Sequence, residues 1–255
     1  MEMIATSVDN LHKLRELEFQ ETVKFFPESS ATLSLLEIGS GTGYQLNLLK
    51  KKFGRVIGID IPNSNYAEKR VENVVSYDGT NIPFPDDSFD VIFSSNTMEH
   101  VIDLDSLEEE MKRVLKPGGI CIHIVPSHAW KFWNTLLHYF TLPTHVLSYF
   151  TRKKPAQMNS NTGTLRKSKS SIFTLIGNVL FSPLHGERGN RFTEIFYFHP
   201  KWWKNHFQKN KWILKSITAT GIFYTGHYLS KNADRKKRAK KLGSACYTFV
   251  LENPN

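Results

Sequence analysis

The chain alternates between short apolar runs and stretches whose apolar residues follow helical spacing. The runs predict buried strands, and the stretches between them predict amphipathic helices. The predicted strands are residues 33–38, 55–60, 74–77, 89–94, 120–125, 212–220 and 244–252. Because strand and helix alternate through the first half, the sequence predicts a doubly wound α/β fold. Its sheet should have seven mostly parallel strands with helices on both faces.

The pattern changes after residue 126, and this divides the chain. We expect a single domain over 1–255, with an insertion rather than a second domain. Its predicted parts are an N-terminal helix within 1–30, a core at 31–126, a largely helical aromatic and basic insertion at 127–199, and a C-terminal helix with the last two strands at 200–255. Within the core, Lys116-Pro117-Gly118-Gly119 is predicted to stop the helix that precedes the fifth strand.

The composition is that of a globular protein, with 40% hydrophobic and 22% charged residues. No apolar run reaches the length of a membrane-spanning helix, and residues 1–10 lack the pattern of a secretory signal. The sequence therefore predicts a cytoplasmic protein. Cys121 and Cys246 lie in apolar surroundings and are predicted to be reduced thiols in the core.

Charge is distributed unevenly along the chain. Residues 1–125 carry 12 Lys and Arg against 20 Asp and Glu, whereas residues 126–255 carry 21 against 4. The two halves thus have net charges of −8 and +17. A basic half of this kind favours phosphates, nucleic acid or an anionic membrane surface as a partner.

A glycine-rich turn follows the first predicted strand, in the segment Glu37-Ile38-Gly39-Ser40-Gly41-Thr42-Gly43. Glycines allow the backbone to turn tightly and lie against a ligand, but dinucleotide-binding proteins begin similarly. Asp60 ends the second strand, where a carboxylate can accept ribose hydroxyls, and Asp78 follows the third strand. No basic residue near the turn could grip a pyrophosphate, whereas Glu37 suits a cationic group. This combination favours S-adenosylmethionine over a dinucleotide.

Four motifs in residues 33–125 carry a resemblance to a known family. They are LEIGSGTG at 36–43, GID at 58–60, YDGTNIPFPDDSFDVIFSSNTMEHV at 77–101 and LKPGG at 115–119. In this order and at this spacing they resemble the class I S-adenosylmethionine-dependent methyltransferases, in particular the methyltransferase type 11 group.

The resemblance implies cofactor contacts in the turns that follow four strands. The glycines of the first turn would shape the methionine pocket, and the glutamate before them would orient the amino group. The aspartate after strand two would hold the ribose, and the next isoleucine would pack on the adenine. The aspartate and glycine after strand three would contact the adenine edge, and the asparagine after strand four would line the floor. These residues are Glu37, Gly39, Gly41, Gly43, Asp60, Ile61, Asp78, Gly79 and Asn96.

Several chemistries are disfavoured by residues that the chain lacks. Residues 94–97 read Ser-Ser-Asn-Thr, not the Asn/Asp-Pro-Pro-aromatic sequence of enzymes that methylate base amines. No cysteine follows a proline, as attack on pyrimidine C5 would usually require. We expect no metal site, because the sequence suggests no Mg²⁺-ligating acid just after the fourth strand.

A hydroxyl acceptor needs a group that takes its proton, and histidine is the usual one. His185 and His100 are the predicted catalytic residues, with His128 as a further candidate. Glu194 and Tyr197 could equally contact the substrate. For any single histidine, a packed or surface role is the alternative.

The insertion combines aromatic helical faces with lysines, at 130–140 and at 172–181. Such faces suit a helix lying at a membrane interface, or a cap over the active site. Segments 126–140 and 182–203 are similar to bacterial methyltransferases of surface polysaccharide biosynthesis. This implies a small-molecule or lipid-linked sugar acceptor, with possible peripheral contact at the inner face of an anionic membrane. The basic run 235–241 is predicted to be a loop.

Two alternative functions remain open from the sequence. One is methylation of a small metabolite such as a quinone precursor, since the core is common to such enzymes. The other is an RNA-binding or RNA-modifying protein, which the basic and aromatic second half would suit. The missing base-amine motif makes nucleic acid an unlikely partner. The sequence gives no signal for the oligomeric state.

Overall fold

A seven-stranded sheet forms the centre of the molecule in the computed structural model, which describes residues 8–70, 73–151, 182–225 and 232–254. The strand order is β3-β2-β1-β4-β5-β7-β6. All neighbouring pairs are parallel except those of β7, which runs antiparallel to both β5 and β6. The strands are β1 Ser34–Ile38, β2 Arg55–Asp60, β3 Val75–Ser76, β4 Phe89–Ser95, β5 Leu115–Pro126, β6 Ile213–Ala219 and β7 Cys246–Glu252. The predicted doubly wound, mostly parallel sheet is confirmed.

The start of β5 differs from the prediction. Its pairing with β4 begins at Leu115, opposite Phe89, and resumes with Ile120 opposite Val91 after a register shift. The segment 116–119 therefore bulges from the strand instead of only ending the preceding helix. Gly118 supplies the left-handed backbone that this bulge needs, at φ +71°.

Helices cover both faces of the sheet. They are α1 Val8–Thr22, α2 Tyr44–Leu49, α3 Leu104–Val114, α4 His128–Thr151, α5 Glu194–Tyr197, α6 Pro200–Lys209 and α7 Asn232–Leu242. Asp103 caps α3 by accepting a hydrogen bond from the Ser106 backbone N–H. The prediction of a loop at 235–241 is wrong, because this basic run lies within α7. Lysine and arginine are good helix formers, and their long side chains separate the charges in solvent.

The core has two layers, one on each face of the sheet. Leu35 and Phe93 point to the face covered by α1 and α2, where they meet Phe19. Their neighbours Leu36 and Ile92 point to the other face, which α3 and α6 cover. This alternation is the period-two pattern of strands buried on both sides. The turns that connect these strands to the helices lie at the carboxyl edge of the sheet.

The described part of the predicted insertion begins with α4, a helix of 24 residues. The predicted loop at 156–171 and the apolar segment at 172–181 lie outside the described residues, as do the lysine and arginine clusters near them. Within the described ranges no helix has both the length and the apolar character needed to cross a membrane. Cys121 and Cys246 are buried free thiols, as predicted.

Candidate cofactor and acceptor site

The strand order reverses between β1 and β4, and the turns after these strands meet at the carboxyl edge of the sheet. In open α/β sheets this switch point is where ligands bind. The glycine turn follows β1, Asp60 ends β2, and Asn96 follows β4. The turn with Asp78 and Gly79 follows β3, the parallel neighbour of β2. The fold therefore brings all four predicted cofactor-binding turns to neighbouring strands at one edge.

The glycine turn is tied to β2 and has no room for a side chain at Gly39. Gly39 and Ser40 both donate their backbone N–H to the Ile59 carbonyl, at 2.9 and 3.1 Å. Gly39, Gly41 and Gly43 all have φ between +53° and +79°, which only glycine adopts readily. A Cβ on Gly39 would lie 2.3 Å from the Thr97 side chain. These glycines were predicted from the sequence, whereas the contact with Thr97 was not.

Asp60 is buried at the end of β2, and its carboxylate accepts hydrogen bonds from two backbone N–H groups. One carboxylate oxygen accepts the Gly41 N–H at 3.0 Å, and the other accepts the Ile61 N–H at 2.8 Å. The guanidinium of Arg70 lies 3.6 Å from the first oxygen. The carboxylate therefore links the glycine turn to the end of β2, and its contact with the ribose stays a prediction. Arg70 was not predicted.

Glu37 is buried at 2% exposure near the end of β1. Burial raises the pKa of its carboxyl to about 8, and the charge of Asp60 contributes to the rise. Within the described residues, its Oε2 atom has no hydrogen-bond partner. A buried, unpaired carboxyl oxygen beside a glycine turn is suited to a cationic ligand group, since a nearby positive charge would stabilise the ionised form.

The third turn places Ile61 and Gly79 side by side, and a Cβ on Gly79 would lie 3.5 Å from Ile61. Ile61 is 41% exposed, which leaves an apolar surface available to a ring. Asp78 is exposed, and its carboxylate accepts hydrogen bonds from the Thr80 and Asn81 backbone N–H groups. Hydrogen bonds led by the Asn81 side chain lower the Asp78 pKa. Its contact with adenine stays a prediction.

Asn96 connects the end of β4 to the N-terminal helix. Its backbone is left-handed, at φ +52°, and its amide donates to Glu18 at 3.4 Å. Glu18 is fully buried and pairs with Arg15 at 2.6 Å. The Tyr224 hydroxyl donates to the same carboxylate. The burial of Glu18 was not predicted, because a charged pair three residues apart on a helix usually lies in solvent.

Helix α1 also reaches the glycine turn directly. The His12 ring nitrogen lies 3.0 Å from the Thr42 hydroxyl, and the His12 ring stacks on Tyr44 with centroids 4.1 Å apart. The Tyr44 hydroxyl donates to Glu16 at 3.2 Å. The N-terminal helix is therefore part of the wall around the glycine turn.

The two predicted catalytic histidines meet beyond the end of β4. The ring centroids of His100 and His185 are 4.9 Å apart, and both rings approach the buried carboxylate of Glu99. Burial lowers the pKa of His100. We call Glu99, His100 and His185 the acceptor cluster. Both histidines were predicted from the sequence, but their meeting was not, because 84 residues lie between them along the chain.

The segment 182–190 is held in place by two charged residues. The Glu194 carboxylate accepts the backbone N–H groups of His185 and Gly186, at 2.7 and 2.6 Å. It also pairs with the buried ammonium of Lys131. Arg188 donates to the carbonyls of residues 98, 99 and 101. Glu194 therefore positions His185 from the buried side, and the predicted substrate contact of this carboxylate has no support in the geometry.

The two remaining candidate residues are His128 and Tyr197. His128 begins α4 and packs beside His199, with ring centroids 4.5 Å apart. Burial lowers the pKa of His128. Tyr197 covers Gly189, where a Cβ would lie 2.8 Å from the tyrosine ring.

Comparisons with known proteins agree with this geometry. Residues 36–123 match the family described as a methyltransferase domain. A methyltransferase from Aquifex aeolicus, described as SAM-dependent, aligns over 99% of this chain and 98% of its own, with a TM-score of 0.54 and 15% identity. A chain from the complex of the Haloferax volcanii Trm112 methyltransferase activator with a methyltransferase aligns over 96% and 93%, at 0.55 and 16%. At such identities the likeness establishes the fold.

Curated relatives are similar over the same region. An uncharacterized methyltransferase of Mycolicibacterium vanbaalenii is 39% identical over 101 residues, which are 37% of this chain and 40% of the relative. The biotin biosynthesis bifunctional protein BioHC of Cellvibrio japonicus is 31% identical over 120 residues, or 45% and 24%. In both cases the match spans less than half of the relative's own length.

Residues 36–123 thus match a methyltransferase domain, and the sheet that contains them has the fold of SAM-dependent methyltransferases. S-adenosylmethionine is the cofactor that this enzyme domain uses.

Proposed function

We propose that the protein transfers a methyl group from S-adenosylmethionine to a hydroxyl group of an acceptor. The observation that supports this most is the acceptor cluster, which places two imidazoles beside the turn that follows β4. An imidazole within reach of a hydroxyl can take its proton as the new bond forms. His185 and His100 are the proposed proton acceptors, held beside Glu99.

The residues of the glycine turn fit the cofactor. The turn offers backbone without side chains, Asp60 offers a carboxylate for the ribose, and the exposed Ile61 offers an apolar surface for the adenine. Glu37 would balance the positive charge of the aminoacyl end, through its buried carboxyl. When bound, S-adenosylmethionine supplies an electrophilic methyl group on a sulfonium. The chain's own task is to align the acceptor and remove its proton.

We further propose that the hydroxyl belongs to a sugar, on a glycan or a lipid-linked saccharide precursor. Exposed aromatic and apolar side chains support this acceptor, because aromatic faces pack against sugar rings and lie in membrane interfaces. They come from α4 and from residues 184–196, the segments next to the acceptor cluster: Phe132, Tyr139, Phe140, Leu184, Phe192 and Phe196.

The charge of the second half supports a peripheral position at the inner face of a membrane. Helix α7 carries six Lys and Arg against one Asp. A basic helix is attracted to anionic lipid headgroups and to pyrophosphate, each Lys or Arg contributing about 1 kcal/mol near the surface. Binding of this helix to lipid headgroups or to pyrophosphate would bring a lipid-linked acceptor to the site.

The test is transfer of labelled methyl from S-adenosylmethionine into the lipid, soluble and RNA fractions of a host extract. We expect label in the lipid fraction, released as a methylated sugar by mild acid. Label only in soluble metabolites would contradict the sugar acceptor and favour a quinone precursor or similar compound. Label only in RNA would favour the nucleic-acid alternative.

Two variants separate cofactor binding from acceptor chemistry. Asp60→Asn should abolish measurable S-adenosylmethionine binding by calorimetry, because the amide lacks the charge and one acceptor oxygen. His185→Asn should bind the cofactor as the wild type does and lose at least about tenfold in methyl transfer. Retained cofactor affinity in Asp60→Asn would refute the ribose assignment.

A further inference from the structure

The acceptor cluster has the composition of a metal site. A carboxylate oxygen of Glu99 and one ring nitrogen from each of His100 and His185 all lie within 4.8 Å of one another. Glu99 Oε1 is 3.7 Å from His100 Nε2 and 3.8 Å from His185 Nε2. These separations exceed hydrogen-bond distance. They are close to the roughly 3.4 Å between two ligands of a tetrahedral ion. We propose, against the expectation from the sequence, that these three side chains bind a divalent transition metal ion.

The carboxylate of Glu99 is the strongest argument for a cation. Its side chain is 2% exposed, and neither oxygen has a hydrogen-bond partner within the described ranges. A buried carboxylate without partners is costly unless a cation neutralises it. Arg188 lies close by, but the hydrogen bonds of its guanidinium go to backbone carbonyls, including that of Glu99 itself. The carboxylate therefore remains available to an ion.

The surrounding chain holds two ligand-bearing backbone segments together and packs against the His185 ring before any ion binds. The Glu187 backbone N–H donates to the Glu99 carbonyl at 3.0 Å, and so joins the two ligand-bearing segments. A Cβ on Gly186 would lie 2.9 Å from the same carbonyl, so the close approach requires glycine. The Trp130 ring packs against His185 with centroids 4.5 Å apart. Ligands held in this way lose little freedom on binding an ion.

The ligand set selects the class of ion. Imidazole suits zinc, iron, nickel and copper, whereas Mg²⁺ and Ca²⁺ prefer sites made of oxygen. His100 and His185 are 42% and 34% exposed in their side chains. Three protein ligands with an open side leave a coordination position for water or substrate. The cluster thus fits a zinc-like ion with one position free.

This open position deepens the proposed function and rests on it. An acceptor hydroxyl oxygen bound there would lose its proton to solvent water more readily, because the ion stabilises the alkoxide. The O–H bond breaks at that step. The oxygen then forms the bond to the methyl carbon as the carbon–sulfur bond breaks. With an ion bound, the two imidazoles serve as its ligands, and solvent takes over the proton-accepting role that they have in the ion-free cluster.

Metal binding can be measured without cofactor or acceptor. Untagged full-length protein is stripped with EDTA, dialysed and titrated with Co²⁺, and the visible absorption of the bound ion is followed. We expect one Co²⁺ per chain, displaced by Zn²⁺. His100→Asn, His185→Asn and Glu99→Gln should each weaken binding more than about tenfold. Circular dichroism and thermal unfolding of each variant would establish that it folds.

His199→Asn is the matched control. His199 also lies beside another histidine, His128, and its ring nitrogen caps α6 by accepting the Lys201 N–H; asparagine is also a good helix cap. This variant should keep wild-type Co²⁺ affinity. Absent Co²⁺ absorption, or wild-type affinity in folded His185→Asn, would overturn the metal site. Since no methyl transfer is involved, that failure is distinct from failure of the methyltransferase assignment, which Asp60→Asn tests.

Discussion

The buried carboxyl of Glu37 should make the stability of the cofactor-free protein depend on pH. Its pKa is raised to about 8 from an ordinary 4.5, chiefly by burial. Between pH 6 and pH 8 the unfolded chain ionises this group, while the folded protein largely keeps the proton. The folded state then binds more protons, so its stability falls as the pH rises. Each pH unit is worth about 1.4 kcal/mol, and partial ionisation near pH 8 reduces the total to about 2 kcal/mol.

Glu37→Gln removes the titrating group and keeps its shape. Urea unfolding of both proteins at pH 6 and pH 8 gives the free energy of unfolding. We expect the wild type to lose about 2 kcal/mol more than the variant over this interval. Asp103→Asn is the control, because hydrogen bonds led by the Ser106 side chain lower the Asp103 pKa. It titrates below this range and should behave as the wild type does. Equal pH dependence of wild type and Glu37→Gln would refute the raised pKa.

Two further predictions concern the walls of the site. Gly39→Ala should destabilise the protein by about 3 kcal/mol in urea unfolding, since it adds a clash with Thr97 to the cost of positive φ. Gly118→Ala, at similar φ with open space around it, should cost only about 1 kcal/mol; equal losses would contradict the clash. Glu194→Gln should cost about 3 kcal/mol by leaving the Lys131 ammonium buried and unpaired. Adding Lys131→Met should recover most of this loss, and no recovery would disprove the pairing.

The positions of the glycine turn and of Asp60 in the fold were predictable from sequence because their signals are local. The glycine turn and Asp60 each sit at the end of an apolar run, and parallel strands bring such ends to one edge. The bounds of β2, Arg55–Asp60, agree with the predicted ones, because this strand is also marked by a local apolar run. Positions of positive φ can be predicted from glycines in the sequence, because other residues are strained there.

The acceptor side was less predictable, because its contacts join distant segments. Nothing near Glu99 in the sequence indicates that His185 returns to it, or that Glu194 holds that histidine. The burial of Glu18 likewise depends on Tyr224, which lies 206 residues further along the chain. Helix α7 was missed because a run of like charges resembles a solvated loop, whereas its backbone follows ordinary helix propensity.

The position of β7 bears on how the protein is made. Because β7 lies between β5 and β6, those two strands cannot join one sheet until residues 246–252 have left the ribosome. During that interval β5 exposes an unpaired edge, which favours pairing with another chain. Cys246, in β7, also contacts Glu18 of the N-terminal helix at 3.2 Å. Newly synthesised chains should therefore be vulnerable to aggregation until residues 246–252 have emerged, and chaperone depletion should lower their soluble yield more than it lowers the stability of protein already folded.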